Sequence, residues 1–430
     1  MFHRRDQRND QKRTEITENR KTEMTNELTD KQFADRLLTT ILLRQQGYYD
    51  SARRVAMDLV ADRYDHPGVW HQFGQIWTSM GEFSAALQCF EQAVYLIKQY
   101  GTFDNSVVPF QTSAMGLAQS LMRFGRFSEA WPLWEAGRLG ISWNPQPTTQ
   151  YWDGTGQPDR LLVQAEGGYG DIFMFLRWLP LLKSQKLIPR VGVTLFPALK
   201  DFCDWKSLGV DEVYTIGEDK IPFGKWQFAT SFMSLPVVFG VDKWKDIPER
   251  SFPPLFFPPV RSTARRRFAP LRIGFCWRAE ENTSPIKTKS LTAEVAANIC
   301  ARLLDSTVLP DVSLFSLSPE RADLYNDSRF AQPTGLAHEP DRLASWQLTA
   351  AYIYSMDFIL TVDTAVAHLA GLLGVPTLVL LPKSSCWRWG LLNDSCHWYG
   401  SLKLYRQPVP LKWDVEAIVS AIRTVIEDDL

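Results

Sequence analysis

The stretch Thr361 to Pro382, TVDTAVAHLAGLLGVPTLVLLP, decides how the second half of this chain folds. An apolar run ends in the polar pair Asp363 and Thr364, and a helical pattern runs from there through Leu373. Gly374 and Pro376 then separate that pattern from a second apolar run. His368, two glycines and Pro376 break the segment's hydropathy, so it reads as a buried strand, a short helix, a turn and another buried strand, and not as a membrane span. Strand, helix, strand is the unit of a parallel sheet.

The same alternation extends upstream. LRIGFCW, DVSLFSL and DFILTV read as strands, with helices starting near Leu291 and Leu343, and a last amphipathic helix from about Trp413 to Ile426 closes the series. An earlier series carries the strands RLLVQA, RVGVTLF and DEVYTI, separated by amphipathic stretches at Asp171–Lys183 and Pro197–Leu208. The proline-rich breaks WNPQPTTQYWDGTGQPD and IPERSFPPLFFPPVRS mark the start and end of that earlier series. Two consecutive doubly wound domains, 155–258 and 268–430, put a ligand cleft between the carboxyl ends of their strands.

Ahead of them lies a repeat. GYYDSARRVAMDL from Gly47 and GEFSAALQCFEQAV from Gly81 are 34 residues apart, and each has an aromatic two positions on (Tyr49, Phe83) and alanine five positions on (Ala52, Ala86). A third copy at Gly125, with Phe127 and Ala130, is offset by 44, which implies an insertion near QYGTFDNSVV. With Trp70, Gly74, Trp77, Phe90 and Ala93 at helical spacings, residues 34–145 resemble tetratricopeptide repeats: antiparallel helix pairs that stack and offer a groove to a protein partner or support a neighbouring domain. Residues 1–33 are polar and mixed in charge and read as a disordered or frayed tail.

Composition narrows the function. A net charge of −1 gives no basic field for phosphate backbones, so nucleic acid is not the expected partner. Six scattered cysteines without a CxxC pair point to neither a zinc site nor a disulfide framework, and fit a reducing, cytoplasmic location. The charged N-terminus lacks the apolar centre of a secretory signal.

Four stretches are placed to carry chemistry. QAEGGYGDIFMFLRWLP (Gln164–Pro180) follows the first strand; Gly167, Gly168, Tyr169 and Gly170 form a loop, and Asp171 falls at the cap or first turn of a helix. By residue type alone this is either a capped structural turn or a catalytic loop, and it lacks the GxGxxG pattern of a dinucleotide site. Asp363, Thr364 and His368 open a helix after a buried strand, a setting suited to a diphosphate or merely to capping. Arg278, Lys287 and Lys289 lie beyond the carboxyl end of LRIGFCW, where they hold phosphate oxygens or are simply solvated. Trp387, Arg388 and Trp389 follow the strand TLVLL, where an aromatic would stack on a base or sugar unless it belongs to the core.

Together EGGYGD with FLRWLP, MSLP at Met233–Pro236, KSL after a Trp-ending strand, VDTAVAHLAGLLGVPT, and WRW with WYGSLKLYRQ resemble the bacterial enzymes that join tetratricopeptide repeats to a region similar to glycosyltransferase family 9, the heptosyltransferase-like group. The resemblance runs from about residue 34 to the C-terminus. It implies a GT-B fold, α/β with an all-α N-terminal part, whose first Rossmann-like domain holds the acceptor and whose second holds a nucleotide-sugar donor. It places the general base on Asp171 and donor contacts on Asp363, Thr364 and His368. Arg278 and Lys289 fall where family loops approach the leaving diphosphate, although this loop departs from the usual Gly- and Asn-rich form; Trp387 and Arg388 join the donor set. The implied reaction is inverting transfer of a hexosyl or heptosyl group. No DxD motif occurs, so neither a metal nor a cofactor beyond the substrate is expected. The acceptor is a protein held by the repeats or, alternatively, lipopolysaccharide or another glycan. A scaffold with a decayed catalytic region is a rival, and a nicotinamide-dependent enzyme is disfavoured for want of the GxGxxG turn and its acidic ribose partner.

Overall fold

The computed structural model describes residues 28–100, 110–139, 150–248, 270–279, 289–318, 336–391 and 394–429. The tail before residue 28, the insertion near QYGTFDNSVV, most of the proline-rich segment after Ile247 and Lys287 lie outside the described residues.

Among the described residues six helices come first: α1 (Asp30–Gln45), α2 (Tyr49–Asp62), α3 (Pro67–Met80), α4 (Phe83–Tyr100), α5 (Phe110–Arg123) and α6 (Phe127–Arg138). The first begins inside the segment expected to be a tail, because Thr29 and Gln32 form a capping box there. Each repeat glycine turns one hairpin. Gly47, Gly81 and Gly125 have φ of 81°, 78° and 74°, a region costly for residues with a Cβ. The aromatic two positions later starts the next helix, and Ala52, Ala86 and Ala130 are wholly buried where the paired helices approach. Phe90 fills the space left by two more glycines: a Cβ on Gly74 or Gly116 would fall within 2.9 Å and 2.6 Å of its ring.

The first sheet, in order β1-β5-β2-β3-β4, is parallel throughout: β1 (Gln150–Tyr151), β2 (Arg160–Gln164), β3 (Arg190–Leu195), β4 (Glu212–Thr215) and β5 (Phe228–Ser231). Its short helices are α7 (Tyr169–Phe175), α8 (Leu179–Ser184) and α9 (Leu235–Val238). The stretch Pro197–Leu208 was expected to be amphipathic and forms one 3-10 turn followed by irregular turns. Edge strand β1 lies inside what the sequence marks as a connector, and β5 is not among the strands the sequence marks.

The second sheet, in order β11-β10-β9-β6-β7-β8, is also parallel: β6 (Leu271–Cys276), β7 (Val312–Ser316), β8 (Leu336–Ala337), β9 (Phe358–Val362), β10 (Thr377–Leu381) and β11 (Leu402–Arg406). Around it lie α10 (Ala293–Leu304), α11 (Trp346–Tyr354), α12 (Ala365–Leu373) and the closing α13 (Val415–Asp429). An all-helical N-terminal part followed by two doubly wound parallel sheets is the architecture expected. No described helix is long and apolar enough to cross a membrane.

One buried cluster runs through the molecule, from Phe90 and Trp134 in the helices, through Phe173 and Trp178 in the first α/β domain, to Val379 and Leu404 in the second. A second cluster, with Ile273, Ile299 and Ile422, covers the opposite face of the second sheet.

Candidate active site between the two sheets

In the second sheet the chain moves outward from β6 to β8, then returns to the other side of β6 as β9. The loops leaving β6 and β9 therefore diverge and open a crevice at their carboxyl ends. Asp363 and Thr364 leave β9 into this crevice, and Lys289 enters it from the loop after β6. Thr364 caps α12 with its hydroxyl, which accepts from the Val366 amide at 3.2 Å. Lys289 Nζ lies 3.0 Å from Asp363 Oδ2. Asp363 is buried, which alone would raise its carboxyl, but Lys289 and then His368 hold it below the ordinary carboxylate range. Lys289 is raised chiefly by the same Asp363 charge.

The first α/β domain contributes the loop and first turn between β2 and α7. Gly168 starts the helix, and its amide donates to Asp171 Oδ2 at 2.9 Å. The other Asp171 oxygen accepts from Arg388, which stands in the turn after β10, so this ion pair joins the two α/β domains. Burial would lower the Arg388 guanidinium, but Asp171 and then Cys386 hold it above its ordinary value. Arg388 Nη1 is 3.0 Å from Cys386 Sγ.

These groups line one cavity of about 340 Å³, bounded by the Gly168–Asp171 turn on one side and by Lys289, Asp363, Thr364, His368 and Arg388 on the other. That volume is at the lower end for a small-molecule site. His368, a buried residue of α12, is stacked on Trp389 at 5.1 Å between centroids and lies 3.3 Å from the Tyr399 hydroxyl through Nδ1. Burial pushes its imidazole down to about 4, so it offers a neutral hydrogen-bonding group.

Thus Gly168, Tyr169, Gly170, Asp171, Lys289, Asp363, Thr364, His368 and Arg388 come together from four separated stretches of sequence. Gly167 stands just behind them with φ of 77°, and a Cβ there would lie 2.4 Å from Asp171 Oδ2. Gly170 lies in the first turn of α7. It packs against α12, where a Cβ would lie 2.9 Å from His368 Cδ2. Trp387 is a correction: it is 1% exposed and packs edge-on against Trp134 of α6 at 5.7 Å, so it belongs to the core and does not face the cavity. Successive side chains of this 3-10 turn point in three different directions, and of the WRW triplet only Arg388 lines the cavity. Arg278 lies with its guanidinium 5.3 Å from the Trp277 ring and outside the cavity lining. Sequence reasoning missed Tyr399 and Trp389 as the groups that fix His368, although both stand in quoted motifs.

The first sheet has its own crevice, between β2 and β5, and the helical part fills it. Arg138, in the last turn of α6, pairs with Glu166 after β2 and with Glu135, the latter at 2.9 Å, and donates to Ser234 Oγ at 2.6 Å. Ser231 at the end of β5 donates to Glu166 at 2.6 Å, and Tyr151 donates to Glu135 at 2.7 Å. A neighbouring helical contact reaches the second α/β domain: the buried Arg123 of α5 donates to the Ser385 carbonyl at 2.9 Å, three residues before Arg388.

No protein family model matches this chain, and no curated protein matches it. Among solved structures it is similar to the Escherichia coli ADP-heptose lipopolysaccharide heptosyltransferase II, at 12% identity and a TM-score of 0.41 over 63% of this chain and 99% of that one. A glycosyltransferase family 9 structure from Veillonella parvula matches at 10% identity and a TM-score of 0.42, over 64% and 99%. A mutant O-GlcNAc transferase from Thermobaculum terrenum matches over 81% of this chain and 82% of its own, at 11% identity and a TM-score of 0.23.

Proposed function

We propose that this chain is a glycosyltransferase that moves a hexosyl or heptosyl group from a nucleotide-sugar donor to an acceptor hydroxyl. The observation that carries the reading is the cavity itself, in which a carboxylate from one α/β domain faces a capped helix N-terminus and two cations from the other. The donor diphosphate lies against the amides at the start of α12, with Lys289 alongside and Asp363 fixing that lysine. The acceptor enters from the Gly167–Tyr169 side.

The acceptor oxygen attacks the anomeric carbon while its proton passes to Asp171. The bond from that carbon to the diphosphate oxygen breaks, and the electron pair leaves with the diphosphate. One displacement inverts the anomeric centre. Side-chain and helix-terminal charge replaces a metal in stabilising the leaving group. Neutral His368 donates or accepts a hydrogen bond to the donor sugar or ribose without adding charge.

Residues 155–258 form the acceptor domain and 268–430 the donor domain. The helices at 34–145 are tetratricopeptide repeats, and the acceptor is a polypeptide that they hold; Leu38, Leu42, Tyr48 and Met57, all exposed on the first hairpin, support this reading. A cytoplasmic location is supported by the six unpaired cysteines.

The test uses the full chain. Thermal shifts against UDP-, GDP-, CMP-, dTDP- and ADP-sugars are expected to pick out a donor that stabilises by mass action, and transfer is then followed with polypeptide and glycan acceptors. Asp171→Asn is expected to slow transfer roughly 10²- to 10⁴-fold. Transfer at the parental rate overturns the role of Asp171, and the absence of any donor that binds and is turned over overturns the transferase reading. Glycan but no polypeptide product overturns the protein acceptor.

A further inference from the structure

Both cations that line the cavity are already held by carboxylates. Lys289 pairs with Asp363 inside the second α/β domain, and Arg388 pairs with Asp171 across the domain boundary. Among the described lining residues the formal charges cancel, since His368 is neutral. A diphosphate brings several negative charges into this space, and a charge-balanced cavity is a poor host unless one carboxylate gives up its cation.

The two pairs differ in how readily they part. Asp363 is buried just past a strand end and belongs to the same domain as its lysine. Asp171 belongs to the other domain and keeps a second partner, since Oδ2 holds the Gly168 amide whether or not Oδ1 holds Arg388. The Arg388 backbone is pinned, its carbonyl accepting from Trp398 Nε1 at 2.6 Å, while its guanidinium is attached through a flexible stem.

We infer that the donor diphosphate and Asp171 compete for Arg388, so that donor binding is what frees the Asp171 carboxylate to receive the acceptor proton. Without donor, the outer Asp171 oxygen is occupied by a charge-assisted hydrogen bond and accepts no proton from a hydroxyl. With donor, the guanidinium turns to the phosphate oxygens, and Asp171 is left held by the Gly168 amide with one oxygen open toward the acceptor. The donor therefore binds before a productive acceptor, and the coupling is reciprocal: removing the Asp171 charge must strengthen diphosphate binding. The catalytic meaning of this competition rests on the transferase reading above.

Inorganic pyrophosphate titrated by calorimetry into the full chain, at fixed ionic strength, tests it. Asp171→Asn is expected to bind about tenfold more tightly than the parent, and Arg388→Met about tenfold more weakly. In the Arg388→Met background, Asp171→Asn is expected to have no further effect. Asp171→Ser, which shortens the side chain, must shift affinity in the same direction as Asp171→Asn. Equal or weaker binding by Asp171→Asn, an Arg388→Met affinity like the parent's, or no measurable pyrophosphate binding by either the parent or Asp171→Asn overturns the competition. Pyrophosphate affinity is read without sugar transfer. Equal affinities therefore sink the competition while leaving the transferase assay intact, and a chain that turns over no donor can still show the competition.

Discussion

Gly170 and His368 touch where the two α/β domains meet, with so little space that a Cβ on Gly170 would lie 2.9 Å from His368 Cδ2 and 3.4 Å from the Ala365 Cα. The imidazole cannot swing away, because Trp389 stacks on one face and Tyr399 holds Nδ1. Gly170→Ala is therefore expected to destabilise by about 1–3 kcal/mol through overpacking. Gly168→Ala, where a Cβ meets nothing within 4 Å, is expected to be nearly neutral for stability. Thermal melts of the two variants side by side check this, and equal melting temperatures would contradict the close approach.

Arg138 is 1% exposed and answers two carboxylates at once. Arg138→Met leaves Glu166 buried without its cation, and the expected cost is about 3–5 kcal/mol. Arg138→Met with Glu166→Gln is expected to recover part of that loss. The measurement is denaturant unfolding with the helical and α/β parts followed separately, and the single variant is expected to split one transition into two.

Arg123 reaches the turn that carries Arg388 through the Ser385 carbonyl, with its guanidinium also 4.1 Å from the Phe83 ring. Arg123→Met is expected to weaken nucleotide binding about tenfold with a smaller effect on the turnover of bound donor, as fits a positioning residue. Arg123→Lys is expected to restore part of the affinity. A loss confined to turnover would assign Arg123 a different role.

Two buried histidines make the fold sensitive to acid. His71, whose Nδ1 is 3.2 Å from Ser113 Oγ, and His368 are both pushed down to about 4 by burial. The unfolded chain takes up these protons near pH 6.5 and the folded chain does not. The stability they contribute is thus complete above about pH 6.5 and is lost as pH falls toward 4. At pH 5 the expected loss is on the order of 2 kcal/mol per histidine. His71→Gln should flatten the fall in melting temperature between pH 7 and pH 5; an unchanged slope would remove His71 from the account.

The order of elements was legible in the sequence wherever one signal set it. Glycine, aromatic and alanine at fixed offsets marked the three hairpins because each residue has one geometric duty: a left-handed turn, a helix start, a close helix crossing. The strands that flank Thr364 were legible because both faces of a parallel sheet are covered, which leaves unbroken apolar runs. Edge strands β1 and β11 were not, since one is two residues long and the other alternates with charged positions. In the site, Asp171, Asp363 and Thr364 stood out because strand and helix boundaries placed them. The tryptophans did not sort themselves: burial of Trp387 depends on Trp134, more than 200 residues away, and nothing local distinguishes it from Arg388 beside it. The use of Arg138 to fill the first crevice was equally invisible, because a helix-ending arginine ordinarily faces water.

The helices share their core with both α/β domains, through Trp131 to the Val241 carbonyl at 2.5 Å, Trp134 to Trp387, and Arg138 to Glu166. Cutting the chain near residue 140 would thus strip an interior surface, not a tether, and a fragment of either half would carry raw tryptophan faces into solvent. A graft that exchanges helices of the N-terminal part must keep α3 to α6 with the two α/β domains. The first hairpin, α1 and α2, whose buried residues cluster apart from that shared core, is the part that can be swapped.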